Sequence, residues 1–148
     1  MRNALIIGLG NPDRGDDAAG ILVAESLRER GADAIVHTGG TLDLIGIWAE
    51  TERVIVVDAI LSGVTPGTVR AWNGNNAVFK RKVFRSSTHG FGLADAMELS
   101  RTLNHLPKVL TIYGIEAAQF LPGNPPSRAV LAGVNLAVEK IQRIMFKE

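Results

Sequence analysis

Cysteine is absent from this chain, which excludes disulfides, thiolate metal ligands and a cysteine nucleophile, and accords with a reducing compartment. Aromatic residues are scarce, so aliphatic side chains must do most of the packing. No apolar run approaches the roughly 20 residues that span a bilayer. Met1-Arg2-Asn3-Ala4 leads straight into a strand-like run, which predicts no signal peptide. Charge of one sign is lacking too: a net charge of +1 gives no general pull toward nucleic acid or an anionic membrane. The H-E-x-x-H helix of zinc proteases is missing, and so is the G-x-S-x-G elbow, which leaves Ser86 and Ser87 without a nucleophile's setting. These exclusions predict a soluble cytoplasmic protein with no nucleic-acid or membrane partner.

What remains suffices for one domain, residues 1–148, with 46% hydrophobic residues to build a core. Leu5 to Gly10 reads as a buried strand because a short apolar run ends in glycine. Asp16 or Asp17 offers an N-cap for a helix through Arg30, which Gly31 stops. Ala34 to His37 predicts a short strand, and Leu42 to Glu50 a helical stretch after Gly39-Gly40. Arg53 to Asp58 is the clearest central strand, apolar on both faces as parallel sheets require. Thr68 to Trp72 reads as an edge strand, Gly92 to Leu103 as a helix and Val109 to Ile115 as a strand. From Ser127 to about Lys147, Val130, Val134, Ala137, Ile141 and Met145 recur at helical spacing. Alternating strands and helices predict a three-layer α/β/α sandwich with a mostly parallel twisted sheet of about five strands, of the phosphorylase/hydrolase-like kind.

Chemistry concentrates at three points where strands give way to loops. Asp17 closes the glycine-rich turn that starts at Gly8, Asp58 ends Val54-Ile55-Val56-Val57, and His89 lies in Ser86-Ser87-Thr88-His89-Gly90. Loops after the carboxyl ends of parallel strands gather at one edge, where ligands bind. Two carboxylates and an imidazole there would make a divalent-metal site or an acid/base cluster. Asp58 carries the strongest physical signal, since a charge ending a buried strand is costly unless something pairs with it. Asn11 braces the turn and can orient Asp17, while Asp16 reads as an N-cap or first-turn acid of the following helix. His37 and His105 read as ordinary loop histidines, and Asp95 as a capping residue.

Gly8-Leu9-Gly10 begins a dinucleotide fingerprint, but Asp13 takes the third glycine's place and three aspartates would repel a pyrophosphate. Gly8-Leu9-Gly10-Asn11-Pro12 resembles the opening of peptidyl-tRNA hydrolases, esterases of similar fold. That family places a histidine soon after the asparagine, whereas the first histidine here is His37.

A third pattern accommodates the whole constellation. Gly8-x-Gly10-Asn11, Asp16-Asp17-x-x-Gly20, Gly39-Gly40-Thr41, Val57-Asp58-Ala59, Pro66-Gly67-Thr68, Ser87-x-His89 with Gly92-Leu93-Ala94-Asp95, and the late Gly114-Ile115 follow one another in order. Over nearly its full length the chain thereby resembles the hydrogenase maturation endopeptidases. The resemblance implies a carboxylate- and nickel-dependent (aspartyl-type) protease that clips the carboxy-terminal extension from a [NiFe]-hydrogenase large-subunit precursor after nickel insertion. It aligns Asp17, Asp58 and His89 with the family's metal-contacting residues, with Asp17 or Asp58 as the catalytic base. Asn11, Asp16, Gly39, Gly40 and Thr41 fall in supporting positions, although Thr38 stands where relatives often carry an acid. Nickel would be presented by the precursor rather than held tightly by a free, monomeric enzyme.

Overall fold

The computed structural model describes residues 2–76 and 92–145. In chain order its elements are β1 (Arg2–Leu9), a 3-10 turn (Gly15–Ala18), α1 (Ala19–Glu29), β2 (Ala34–His37) and a second 3-10 turn (Thr41–Asp43). They continue with α2 (Leu44–Trp48), β3 (Thr51–Ile60), β4 (Val69–Asn73), α3 (Leu93–Thr102), β5 (Val109–Glu116) and α4 (Arg128–Met145). The described strands form one sheet in the order β2-β1-β3-β5-β4. Every pairing is parallel except that of β4, which runs antiparallel to β5 at the edge the sequence predicts for it.

Strand alternation divides the interior into two cores. Ile6, Ile55, Val57, Tyr113 and Ile115 face α1 and α4, meeting Val23, Leu27, Val134 and Ile141. Their neighbours Leu5, Ile7, Val54, Val56, Leu110 and Ile112 face α2 and α3, meeting Leu44, Trp48, Leu93 and Met97. Both faces of the central strands are therefore apolar, and the architecture is the expected α/β/α sandwich. In the thinner second layer, the buried Trp48 Nε1 donates to Ser100 Oγ at 2.9 Å and ties α2 to α3.

Close approach of backbone to backbone sets α1 on the sheet. A Cβ on Gly8 would lie 2.2 Å from Gly20 O, and one on Gly20 would lie 2.3 Å from Val57 O and 2.5 Å from Leu9 O. Only hydrogen fits at either position. The two glycines thus bring the start of α1, and the turn before it, down onto the ends of β1 and β3.

Several boundaries depart from the sequence expectation. The central strand continues past Asp58 to Ile60, paired along its length with β5 as far as Glu116. The predicted helix from Asp16 or Asp17 begins instead as a 3-10 turn, and α1 proper starts at Ala19 with Ala18 as its N-cap and no side-chain cap. The predicted Leu42–Glu50 helix is shorter, at Leu44–Trp48, and is also preceded by a 3-10 turn.

Candidate active site at the carboxyl edge of the sheet

The parallel strands β1, β3 and β5 all end on one edge, and buried charge collects there. Asp16 (0% exposed), Asp17 (4%), Asp58 (0%) and Glu116 (1%) are the buried acids among the described residues. Two of them anchor loops, and two belong to the predicted constellation.

Asp16 is an anchor, which corrects the expectation of a simple first-turn acid. Its Oδ2 accepts the backbone N–H of Ala118 (2.7 Å) and Gln119 (3.1 Å) and the Ser127 hydroxyl (3.0 Å), while Oδ1 accepts the Ser127 N–H (2.6 Å). Its own N–H donates to Gln119 O at 3.0 Å. One carboxylate therefore joins the first turn to the segment that precedes α4. A negative charge at the start of that helix is further favoured by the helix dipole. With both oxygens engaged this way, Asp16 ties the turn to that segment and caps no part of α1.

Glu116 plays the matching part after β3, and the sequence reading misses it. It accepts the N–H of Ser62 (2.8 Å), the Ser62 hydroxyl (2.6 Å) and the N–H of Gly63 (3.1 Å). The signal that singles out Asp58, a carboxylate closing a buried apolar run, is present here too. The expected end of the strand at Ile115 stops one residue short of it.

Asp17 sits in the 3-10 turn that packs against β3. Its N–H donates to Arg14 O (3.1 Å) and its carbonyl accepts from Asn11 N (3.2 Å), so its backbone is fixed from both directions. Gly10 makes room for this closure: at φ +144°, a Cβ there would lie 2.0 Å from Asp17 O. Asn11 braces the turn as predicted, its Oδ1 accepting the Asp13 N–H at 2.9 Å. Asp58 lies in β3 opposite Gly114 of β5, with β1 on the other side. Asp17 and Asp58 are thus buried at one edge, on the turn of one strand and near the end of its neighbour.

His89 lies outside the described residues, as do Ser86, Ser87 and the basic stretch from Lys80 to Arg85. Among the described residues, no group of three His, Cys, Asp or Glu side chains is placed to hold a metal ion. Gly39 and Gly40 are exposed between β2 and the buried Thr41. A Cβ on Gly40 would meet nothing within 4 Å, and one on Gly39 only His37 Nε2 at 4.0 Å, so local space does not require glycine at either. His37 Nε2 donates to Gly40 O at 2.7 Å, an ordinary loop role. Asp95 Oδ2 accepts the Gly92 N–H at 2.8 Å at the start of α3, as a capping residue would.

The family model for hydrogenase maturation proteases matches residues 21–144. The hydrogenase 2 maturation protease of Escherichia coli K12 is 31% identical over 145 residues, covering 93% of this chain and 87% of that protein. Among solved structures, the [NiFe] hydrogenase maturation protease HybD from Thermococcus kodakarensis superposes with a TM-score of 0.73 at 30% identity, covering 97% of this chain and 99% of its own. The hydrogenase maturating endopeptidase HybD from E. coli gives a TM-score of 0.77 at 26% identity, with 98% and 92% coverage. An α/β/α sandwich with acids buried at its carboxyl edge is common to many hydrolases and does not by itself fix a family. The matches do: this chain belongs to the hydrogenase maturation protease family, and it is a peptidase. They support that assignment and not the peptidyl-tRNA hydrolase alternative.

Proposed function

We propose that this protein is the endopeptidase that removes the carboxy-terminal extension of a [NiFe]-hydrogenase large-subunit precursor once nickel has been inserted, with Asp17, Asp58 and His89 forming its active site. The observation that carries the proposal is the burial of Asp17 (4% exposed), in the turn that follows β1, and of Asp58 (0%), near the end of the neighbouring β3, at the edge where α/β enzymes bind ligands. Two carboxylates and an imidazole are a donor set suited to a borderline divalent cation, with coordination positions left for the substrate. Nickel enters as part of the precursor. Held by these residues, it would supply Lewis-acid polarisation of the scissile carbonyl.

The chain's own work is to position and to move a proton. Either Asp17 or Asp58 takes a proton from the attacking water and returns it to the leaving amine. Asp16 and Asn11 keep the Asp17 turn rigid meanwhile, so that reacting groups meet without further ordering. The free enzyme, with an incomplete set of ligands and no thiolate, carries little tightly bound nickel.

Mixing the purified protein with nickel-loaded and metal-free precursor, the latter in chelator, tests this. Mass spectrometry should find the extension released only from the nickel-loaded form. Rapid, correct cleavage of the metal-free precursor would reject nickel-directed recognition.

A further inference from the structure

Residues 59–69 and 117–127 contain no charged side chain, although 21% of the chain is charged. The first segment leaves the carboxyl edge of the sheet from β3 and the second from β5. They start side by side, since Ala117 N donates to Ile60 O at 2.9 Å. Both carry large aliphatic side chains in solvent: Leu61 and Val64 after β3, and Leu121 after β5, are between 42% and 55% exposed. A lone exposed leucine calls for no explanation. Aliphatic side chains carried on two adjoining loops without charge have the composition of an interface core.

Both loops are held in place before anything binds. The Glu116 carboxylate grips Ser62 and Gly63, between Leu61 and Val64, at 2.6–3.1 Å. Gly67 ends the same loop against α4, where a Cβ on it would lie 2.4 Å from Ala129 O. In the second loop, Leu121 N donates to Gln119 Oε1 (2.8 Å) and Leu121 O accepts from Asn124 N (3.1 Å). That loop is fastened in turn to the glycine-rich turn. Gly123 N donates to Asp13 O (2.8 Å) and Gly15 N to Asn124 O (3.0 Å). Surfaces already ordered lose little entropy on contact, so more of their burial appears as affinity.

The position of the loops indicates what covers them. Asp58 lies three residues before Leu61 and shares a sheet face with Ile60. The Leu121 loop is bonded to the turn that leads to Asp17. A precursor whose extension is cut at this edge must lay the body that bears the extension across the loops beside it. From this we infer that the two loops form a docking surface for the folded precursor, with Leu61, Val64 and Leu121 covered by an uncharged, apolar patch next to the point where its extension leaves. The inference rests on the endopeptidase assignment. Contacts made equally in the ground and transition states alter KM and leave kcat nearly unchanged.

The test measures cleavage of nickel-loaded precursor by the wild type, Leu61→Ser, Val64→Ser, Leu121→Ser and the Leu61→Ser/Leu121→Ser pair. Leu136→Ser, on the exposed face of α4, serves as the control. Failure of the wild type to cleave would overturn the endopeptidase assignment itself. Given wild-type cleavage, KM should rise about 3- to 10-fold for each loop variant and about 10- to 100-fold for the pair, with kcat changing less than about threefold. Leu136→Ser should keep the wild-type KM, as should Leu61→Met and Leu121→Met, which preserve apolar area. Melting temperatures of the loop variants should stay within about 2 °C of wild type. An unchanged KM in the pair would overturn the inference. So would an equal rise in Leu136→Ser, a fall in kcat alone, or loss of fold in the serine variants. Wild-type dimers in sedimentation that the pair abolishes, with KM unmoved, would give the surface to a second copy of this chain and overturn the inference as well.

Discussion

The two edges of the sheet treat charge in opposite ways. At the amino edge, Glu50, Glu52, Arg53 and Lys108 are all exposed. At the carboxyl edge, Asp16, Asp17, Asp58 and Glu116 are all buried. The same strands end on both edges, so the difference comes from what meets them. Chains leaving the carboxyl ends of parallel strands turn into loops and helix starts, whose backbone N–H groups face the edge. Ser62, Gly63, Ala118, Gln119 and Ser127 provide such donors, and carboxylates can be buried among them. Segments arriving at the amino edge come largely from helix ends that present carbonyls, which offer nothing to a carboxylate. Burying acid is therefore favoured at the carboxyl edge, which is where the proposed active site lies.

Substitutions can break this contrast or refine it. The largest effect should come from Asp17→Asn and Asp58→Asn, which keep shape but remove the charge. Each should slow precursor cleavage by about 10²–10⁴-fold, with secondary structure by circular dichroism unchanged. Near wild-type turnover in either variant would leave the buried pair without a catalytic role. Next comes Asp16→Ala, which strips the partners from three backbone N–H groups. Equilibrium urea unfolding should show a loss on the order of 3–5 kcal/mol, well above that for a lost helix cap. A loss below about 1 kcal/mol would mean that water replaces the carboxylate with ease.

Glu116→Ala should cost less, about 1–3 kcal/mol, because only the N–H groups of Ser62 and Gly63 lose their acceptor. Proteolysis should then cut first between β3 and β4. A smaller effect concerns Tyr113, buried in β5, where desolvation pushes the phenol above its usual 10.0. Above about pH 10 the unfolded chain releases this proton while the folded one keeps it, so stability falls as pH rises through that range. Below it Tyr113 contributes no pH dependence. Melting curves of wild type and Tyr113→Phe should diverge only on the alkaline side. At the amino edge, Glu52→Ala should shift stability by no more than about 0.5 kcal/mol and leave cleavage untouched. A large effect there would erase the distinction between the edges.

Local patterns make much of the fold legible. Short aliphatic runs at 5–7 and 54–57 mark parallel strands, and the 3.6-residue spacing of Val130, Val134, Ala137 and Ile141 marks the closing helix. Asp58 stands out for the same local reason, a charge where the apolar run falters. Long-range partnerships are what local sequence cannot disclose. Asp16 looks like a cap because Asp and a following helix are adjacent in sequence, but its carboxylate bonds to groups 102 to 111 residues away.

The Asp16 tie also places the site in time. Ribosomes deliver the chain amino end first, so the turn bearing Asp17 is made before the residues that fasten it. The groups that fasten Asp16, at Ala118, Gln119 and Ser127, are made more than a hundred residues later. At ordinary translation rates that interval is about 5–20 s. Throughout it the glycine-rich turn lacks the Asp16 tie and holds only through its local hydrogen bonds. A truncated product lacking the segment before α4 loses that tie, and the expectation is that it cleaves no precursor.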